Sequence, residues 1–304
     1  MDIEMNPLNP RATKMRISSS QSSANAVMDA NTGATTITST PATSINKYHF
    51  SPQELEAWIA KKHKTERTVV MLVGLPASGK STIARQLSRF LSKSGYKCDI
   101  FNAGDVRRKM HQQLSTSEFF DPENVTAKRQ RDAFATMAMT DLLANLQDEV
   151  INVGFLDATN TSIERRKSMI EMSRQAGIVD HFIILDVACD IEEYLLFNIN
   201  GKAFNADYRN IRHEVAIADF KKRTEHYYKA YEPLTKEEID GFDPEVAAWV
   251  NIRNCGKTTA IYRPGNCDDE IVMLIAQFAE KYLEDDGKRY MEAVEAFYSK
   301  SVTI

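Results

Sequence analysis

The chain has 304 residues, 43% apolar and 26% charged, with a formal net charge of −4; this balance fits a globular fold and excludes a broad cationic surface for nucleic acid. No run of eighteen apolar residues occurs and the first thirty residues are too polar for a signal-peptide core, so a cytoplasmic protein with no membrane association is expected. Cys98, Cys189, Cys255 and Cys267 lack CxxC or His/Cys ligand spacing, which predicts reduced thiols and neither a disulfide frame nor a zinc site.

Residues 1–45 are rich in Ser, Thr, Asn and Ala and hold too few large apolar side chains to offset the entropy of ordering them, so they are read as a disordered tail. Within it, Arg16 two residues before Ser18 fits the target pattern of a basophilic protein kinase. Order is expected from about residue 46. In SPQELEAWIAKKHK, Ser51 caps, Pro52 suits the first helical position and Glu54 completes a capping box.

Strand and helix patterns then alternate. TVVMLV from Thr68 is a short apolar run, STIARQLSRFL sets Ile83, Leu87 and Leu91 on one helical face, and KCDIFNAG reads as a second strand. A helix over about 127–146 precedes the strand VINVGFLDA. TSIERRKSMIEMSRQAG reads as a helix with Thr161 and Glu164 as its capping box and Gly177 as its stop, followed by the strand HFIILDV. AAWVNI and TTAIYR read as closing strands, DDEIVMLIAQFAEKYL as an amphipathic helix, and 286–304 as a helical tail without an assigned role. The alternation predicts an α/β fold with a doubly wound, mostly parallel sheet in three layers, whose ligands collect at the strands' carboxyl ends.

GLPASGKS, Gly74 to Ser81, satisfies G-x-x-x-x-G-K-[ST] between a predicted strand and a predicted helix, the context that makes it a phosphate-binding loop. Backbone N–H groups from Gly74, Ala77, Ser78, Gly79, Lys80, Ser81 and Thr82 are expected around the phosphates of ATP, with Lys80 on the β/γ oxygens and Ser81 offering its hydroxyl to Mg²⁺. Asp157 ends an apolar strand, where a second carboxylate for the metal belongs. No N-K-x-D follows a late strand, so a GTPase is not indicated.

The acceptor is read from the remaining cations. Arg107 and Arg108 follow the second strand, Arg131 lies on the next helix, and Arg165 and Arg166 open the helix after DATNT. Phe220, Arg223 and Tyr227 are spaced i, i+3, i+7 and share a helix face. A guanidinium on such a stripe needs an anion, and a phosphate would pair with it bidentately, so Arg223 and Arg107 are assigned to a ligand. Arg108, Arg166, Lys221 and Lys222 are read as solvated charges with salt bridges.

GLPASGKS, FNAGDVRR, FFDPEN, DATNTSIERR, the segment from Cys189 to Asn198, KAFNADY and DFKKRTEHYYKAYEPL occur in this order. Together they resemble the kinase domain of the bifunctional 6-phosphofructo-2-kinase/fructose-2,6-bisphosphatase family, from about Lys47 to about Tyr282. The resemblance implies a domain over 46–285 that transfers a phosphoryl group from ATP to the 2-hydroxyl of fructose 6-phosphate. It implies Arg107, Arg131, Thr159, Arg223 and Tyr227 as the sugar-phosphate set, Lys80 and Asp157 as catalytic, Ser81 and Asp157 on Mg²⁺, and Asn198 and Lys202 against ATP. Lys202 aligns only with a one-residue deletion after Asn198. Family members are commonly homodimers.

Departures from the family pattern are Ser78 where Arg is usual, Val106 before the paired arginines, and Phe134 on the Arg131 helix. No R-H-G phosphohistidine motif occurs, so the resemblance implies the kinase activity alone. Two alternatives stay open. One is a catalytically weak homologue that binds ATP or fructose 6-phosphate as a regulator; the other is a different small-molecule P-loop kinase, since GDVRR resembles a stretch of adenylylsulfate kinases.

Overall fold

The computed structural model describes residues 65–110, 116–242, 244–264 and 269–301. The expected tail over 1–45, the helix expected at Ser51 and Cys267 lie outside them. Six strands form one sheet in the order β2-β3-β1-β4-β5-β6: β1 Thr68–Val73, β2 Cys98–Asn102, β3 Val153–Asp157, β4 His181–Ala188, β5 Val246–Arg253 and β6 Thr258–Tyr262. β1 to β5 pair in parallel and β6 returns antiparallel on β5.

β1 is buried along its whole length because helices cover both faces of the sheet. Its residues alternate between two cores. Val70 and Leu72 pack with Ile83, Leu87 and Leu91 of α1 (Lys80–Lys93) and with Ile271 and Ile275 of α8 (Glu270–Lys281). Val69, Met71 and Val73 face Met139, Leu142 and Leu146 of α3 (Val125–Gln147) and Met169 of α4 (Ile163–Ala176). Between these lie α2 (Ala103–Met110), a 3₁₀ turn at Ser117–Phe120, α5 (Glu192–Lys202), α6 (His213–Lys229) and α7 (Lys236–Asp240); α9 (Lys288–Ser301) follows α8. The architecture is the doubly wound, mostly parallel α/β fold expected. No helix among the described residues is long and apolar enough to cross a membrane.

Two local expectations are corrected. The N-cap of α4 is Ser162, whose hydroxyl accepts from Arg165 N at 3.2 Å. Thr161 still belongs to the preceding loop, its carbonyl accepting from Glu232 N at 2.9 Å, so the Thr161–Glu164 capping box does not form. Arg166, read as a solvated charge, is 0% exposed. Its guanidinium makes two 2.7 Å bonds to Glu238 and donates to the carbonyls of Asn160 and Glu232, so complete pairing offsets the cost of burying the charge.

Candidate phosphoryl-transfer site

β1 lies centrally, with β3 on one side and β4 on the other, and the loops leaving its carboxyl end and that of β3 open onto one side of the sheet. The loop after β1 turns through positive φ at Gly74 (138°), Ala77 (62°) and Gly79 (99°) before α1 begins at Lys80. Gly74 is forced by packing as well: a Cβ there would sit 2.2 Å from the Val187 carbonyl oxygen. Lys80 is 7% exposed, and its ammonium donates to the Leu75 carbonyl at 2.5 Å and to Ser78 Oγ at 3.4 Å. Burial pulls its pKa down to about 7, a shift that Asp157 opposes and that Lys202 and Arg223 deepen.

The parallel register sets Asn102, the last residue of β2, beside Asp157, the last of β3, and Asn102 Nδ2 donates to Asp157 Oδ2 at 2.6 Å. Asp157 is 5% exposed. Ser81 and Asp157 are hard oxygen donors lining the same cavity as Lys80, a donor set that suits Mg²⁺.

That cavity measures about 940 Å³. Ala77, Gly79, Lys80, Ser81, Thr82 and Asp157 line one part of it, Asn198 and Lys202 of α5 adjoin them, and Arg107, Arg131, Thr159, Arg223 and Tyr227 line the rest. Gly74 and Ser78 do not: Gly74 is pressed against Val187, and Ser78 is buried with its hydroxyl turned to Lys80. The remaining thirteen candidates share one hollow. Asn198 reaches the phosphate loop directly, its Nδ2 donating to the Ala77 carbonyl at 2.7 Å. Burial lowers the Lys202 pKa, opposed by Asp157.

The guanidinium groups are organised by two side chains that sequence reasoning did not single out. Phe120, from the 3₁₀ turn, lies 3.7 Å from the Arg223 guanidinium, 5.4 Å from that of Arg107, and 5.7 Å between ring centres from Tyr227. Asp207 bonds Arg107 at 2.5 Å and lies 3.6 Å from both Arg108 and Arg223. Arg131 donates to the Phe119 carbonyl. Burial depresses the pKa of Arg223, with Arg107 adding to the effect against Tyr227 and Asp207; burial depresses that of Arg131 as well. Three arginines gathered around one carboxylate leave an excess of positive charge, which favours an anionic ligand.

A P-loop, a strand-end carboxylate and a cationic pocket on a doubly wound sheet place the chain in the P-loop class of α/β folds. The family model described as 6-phosphofructo-2-kinase matches residues 56–263, and the chain belongs to that family. It is 38% identical over 198 residues to 6-phosphofructo-2-kinase 1 of Saccharomyces cerevisiae, covering 64% of this chain and 24% of that protein. It is 36% identical over 177 residues to a probable 6-phosphofructo-2-kinase of Schizosaccharomyces pombe, covering 58% and 26%. With the rat protein 6-phosphofructo-2-kinase/fructose-2,6-bisphosphatase 3 it shares 34% identity over 174 residues, covering 57% and 31%. The matched stretches thus span about a quarter to a third of the length of these relatives.

Proposed function

We propose that residues 46–285 form a kinase domain that transfers the γ-phosphoryl group of ATP to the 2-hydroxyl of fructose 6-phosphate. The observation that carries this reading is the single cavity in which Lys80 and Asp157 face Arg107, Arg131, Arg223, Thr159 and Tyr227. Two polyanions reacting with each other need cations at both ends of the site and a fixed approach of hydroxyl to phosphorus.

The phosphate loop and the amino end of α1 hold the triphosphate, and Lys80 leaves the Leu75 carbonyl for the β/γ oxygens. A phosphate anion restores the ammonium charge that burial weakens in the empty pocket. Mg²⁺ held by Ser81 and Asp157 supplies charge neutralisation on the transferring group. Asn102 fixes the Asp157 carboxylate through the 2.6 Å bond to Oδ2. Arg107, Arg131 and Arg223 hold the 6-phosphate, and Thr159, two residues after the strand-end acid, orients sugar hydroxyls. Asp207 keeps the arginines together until the sugar phosphate arrives. Catalysis rests mainly on positioning and electrostatics, which suits a loose phosphoryl-transfer transition state.

Purified protein incubated with ATP, Mg²⁺ and fructose 6-phosphate is expected to yield an acid-labile bisphosphate. Tight binding of both ligands without turnover, or turnover with another acceptor only, contradicts the proposal.

A further inference from the structure

The amino ends of β1 and β4 lie at the end of the sheet opposite the phosphate loop, and a second set of polar side chains gathers there. The two strands pair in parallel with Thr68 opposite His181, so the residues leading into them run side by side. Arg67 N donates to Asp180 Oδ2 at 2.7 Å, and the Arg67 carbonyl accepts from Asp180 N at 2.8 Å and from His181 N at 3.3 Å. These bonds hold Glu66, one residue further back along the chain, against His181, the first residue of β4. A third segment joins them at the start of α8, whose N-cap is Asp269.

His181 is 9% exposed, and its Nε2 is buried with no hydrogen-bond partner among the described residues. That nitrogen lies 3.6 Å from Glu66 Oε2 and 3.6 Å from Asp269 Oδ2. One donor atom from each of the three residues falls within 4.8 Å of the other two. A separation of 3.6 Å is too long for a hydrogen bond. It is close to the roughly 3.3 Å between two ligands held tetrahedrally at about 2.0–2.1 Å from one zinc ion. Asp269 points the same way: an N-cap Asp ordinarily accepts from N–H groups of the first helical turn, but this side chain makes no capping bond and stands beside His181.

We propose that Glu66, His181 and Asp269 form a binding site for a divalent cation of the zinc type, with water completing the tetrahedron. One imidazole nitrogen with two carboxylate oxygens is a mixed donor set that suits Zn²⁺, whereas Mg²⁺ prefers oxygen ligands in an octahedron. The two carboxylates neutralise the charge of the ion. The set contains no cysteine, which accords with a cysteine spacing that argues against thiolate ligation. Bound there, the ion ties the chain entering β1 to the starts of β4 and α8. It stabilises the fold because the three donors come together only in the folded chain. This site stands apart from the phosphoryl-transfer cavity, and the proposal does not depend on the reaction proposed for it.

The test titrates the chelator-treated full chain with ZnCl₂ calorimetrically, in buffer with excess Mg²⁺ to occupy oxygen-only sites. One Zn²⁺ per chain is expected to bind and to raise the melting temperature, an effect that chelator reverses. His181→Gln and Asp269→Asn are each expected to weaken zinc binding at least about tenfold and to abolish that rise. The Asp269 side chain is 42% exposed, so Asp269→Asn leaves core packing intact, and a cooperative melt in chelator shows that it is folded. CoCl₂, the second probe, is expected to give the visible bands of a tetrahedral nitrogen and oxygen site. A cobalt–thiolate band in the near ultraviolet would place the ion on a cysteine and overturn the proposal. Absent or non-stoichiometric zinc binding would overturn it too, as would stoichiometric binding that Asp269→Asn retains, because the three side chains would then be an ion-paired cluster and nothing more.

Discussion

Replacing Arg223 by methionine separates ligand binding from fold maintenance. The guanidinium lies 3.7 Å from the Phe120 ring and 3.6 Å from Asp207, with the side chain 17% exposed. Burial depresses its pKa from the usual arginine range, so at every pH below that range the folded protein bears a cost for the charge. Methionine keeps apolar contact with Phe120 and Phe220 and removes that cost, so thermal stability is expected to hold or rise. Binding behaves oppositely. A charge-assisted hydrogen bond contributes roughly 1.5–3 kcal/mol, so losing the proposed Arg223 bond to the 6-phosphate should raise the KM for fructose 6-phosphate roughly ten- to hundredfold. The KM for ATP should change by less than about threefold, the phosphate loop being held by separate bonds. Initial-rate kinetics with each substrate varied, together with a thermal melt, give both readings. A lower melting temperature with equal losses for both substrates would refute the reasoning, because Arg223 would then be structural.

The depressed Lys80 pKa of about 7 makes phosphate binding proton-linked. At pH 8.5 the free ammonium is largely deprotonated and an anion recharges it, so calorimetry of ADP in buffers of different ionisation enthalpy should show net proton uptake that vanishes by pH 6. Affinity should accordingly fall as pH rises above about 7; no uptake at pH 8.5 would contradict a buried, uncharged lysine. Asp157→Asn should reduce turnover by at least about a hundredfold and weaken the Mg²⁺ dependence of ADP binding while leaving metal-free ADP binding intact, as equilibrium titration with and without chelator will show. Arg166→Ala strands buried Glu238 and should cost about 3–5 kcal/mol, lowering the melting temperature by roughly 6–20 °C, whereas Arg166→Met with Glu238→Leu should recover most of the loss.

What could be read from the sequence was mostly local. The phosphate loop declares itself because eight adjacent residues encode its turns, and Asp157 because a strand of apolar residues ends in an acid. Arg107 and Arg223 were legible from their places after a strand and on a helix face, whereas Arg131 joined them only through the family resemblance. Their organisers were not: Asp207 meets Arg107 across 100 residues of chain, and nothing in KAFNADY marks its carboxylate as their shared partner. Phe120 reads as one more aromatic in a polar stretch until α6 folds over it. Arg166 was misjudged for the same reason, since a charge run suggests water, while its partner Glu238 lies 72 positions away. The tail helix α9 had an apolar stripe visible in its spacing, but the face it covers is set by the π turn at Gly287, which no short pattern announces.

A crystal structure of the protein with ADP, aluminium fluoride, Mg²⁺ and fructose 6-phosphate tests the central claim most directly. The account predicts the 6-phosphate among Arg107, Arg131 and Arg223 with the sugar 2-hydroxyl in line with the metal fluoride at Lys80. A sugar phosphate bound outside this cavity, or seated with another hydroxyl facing the fluoride, would contradict it.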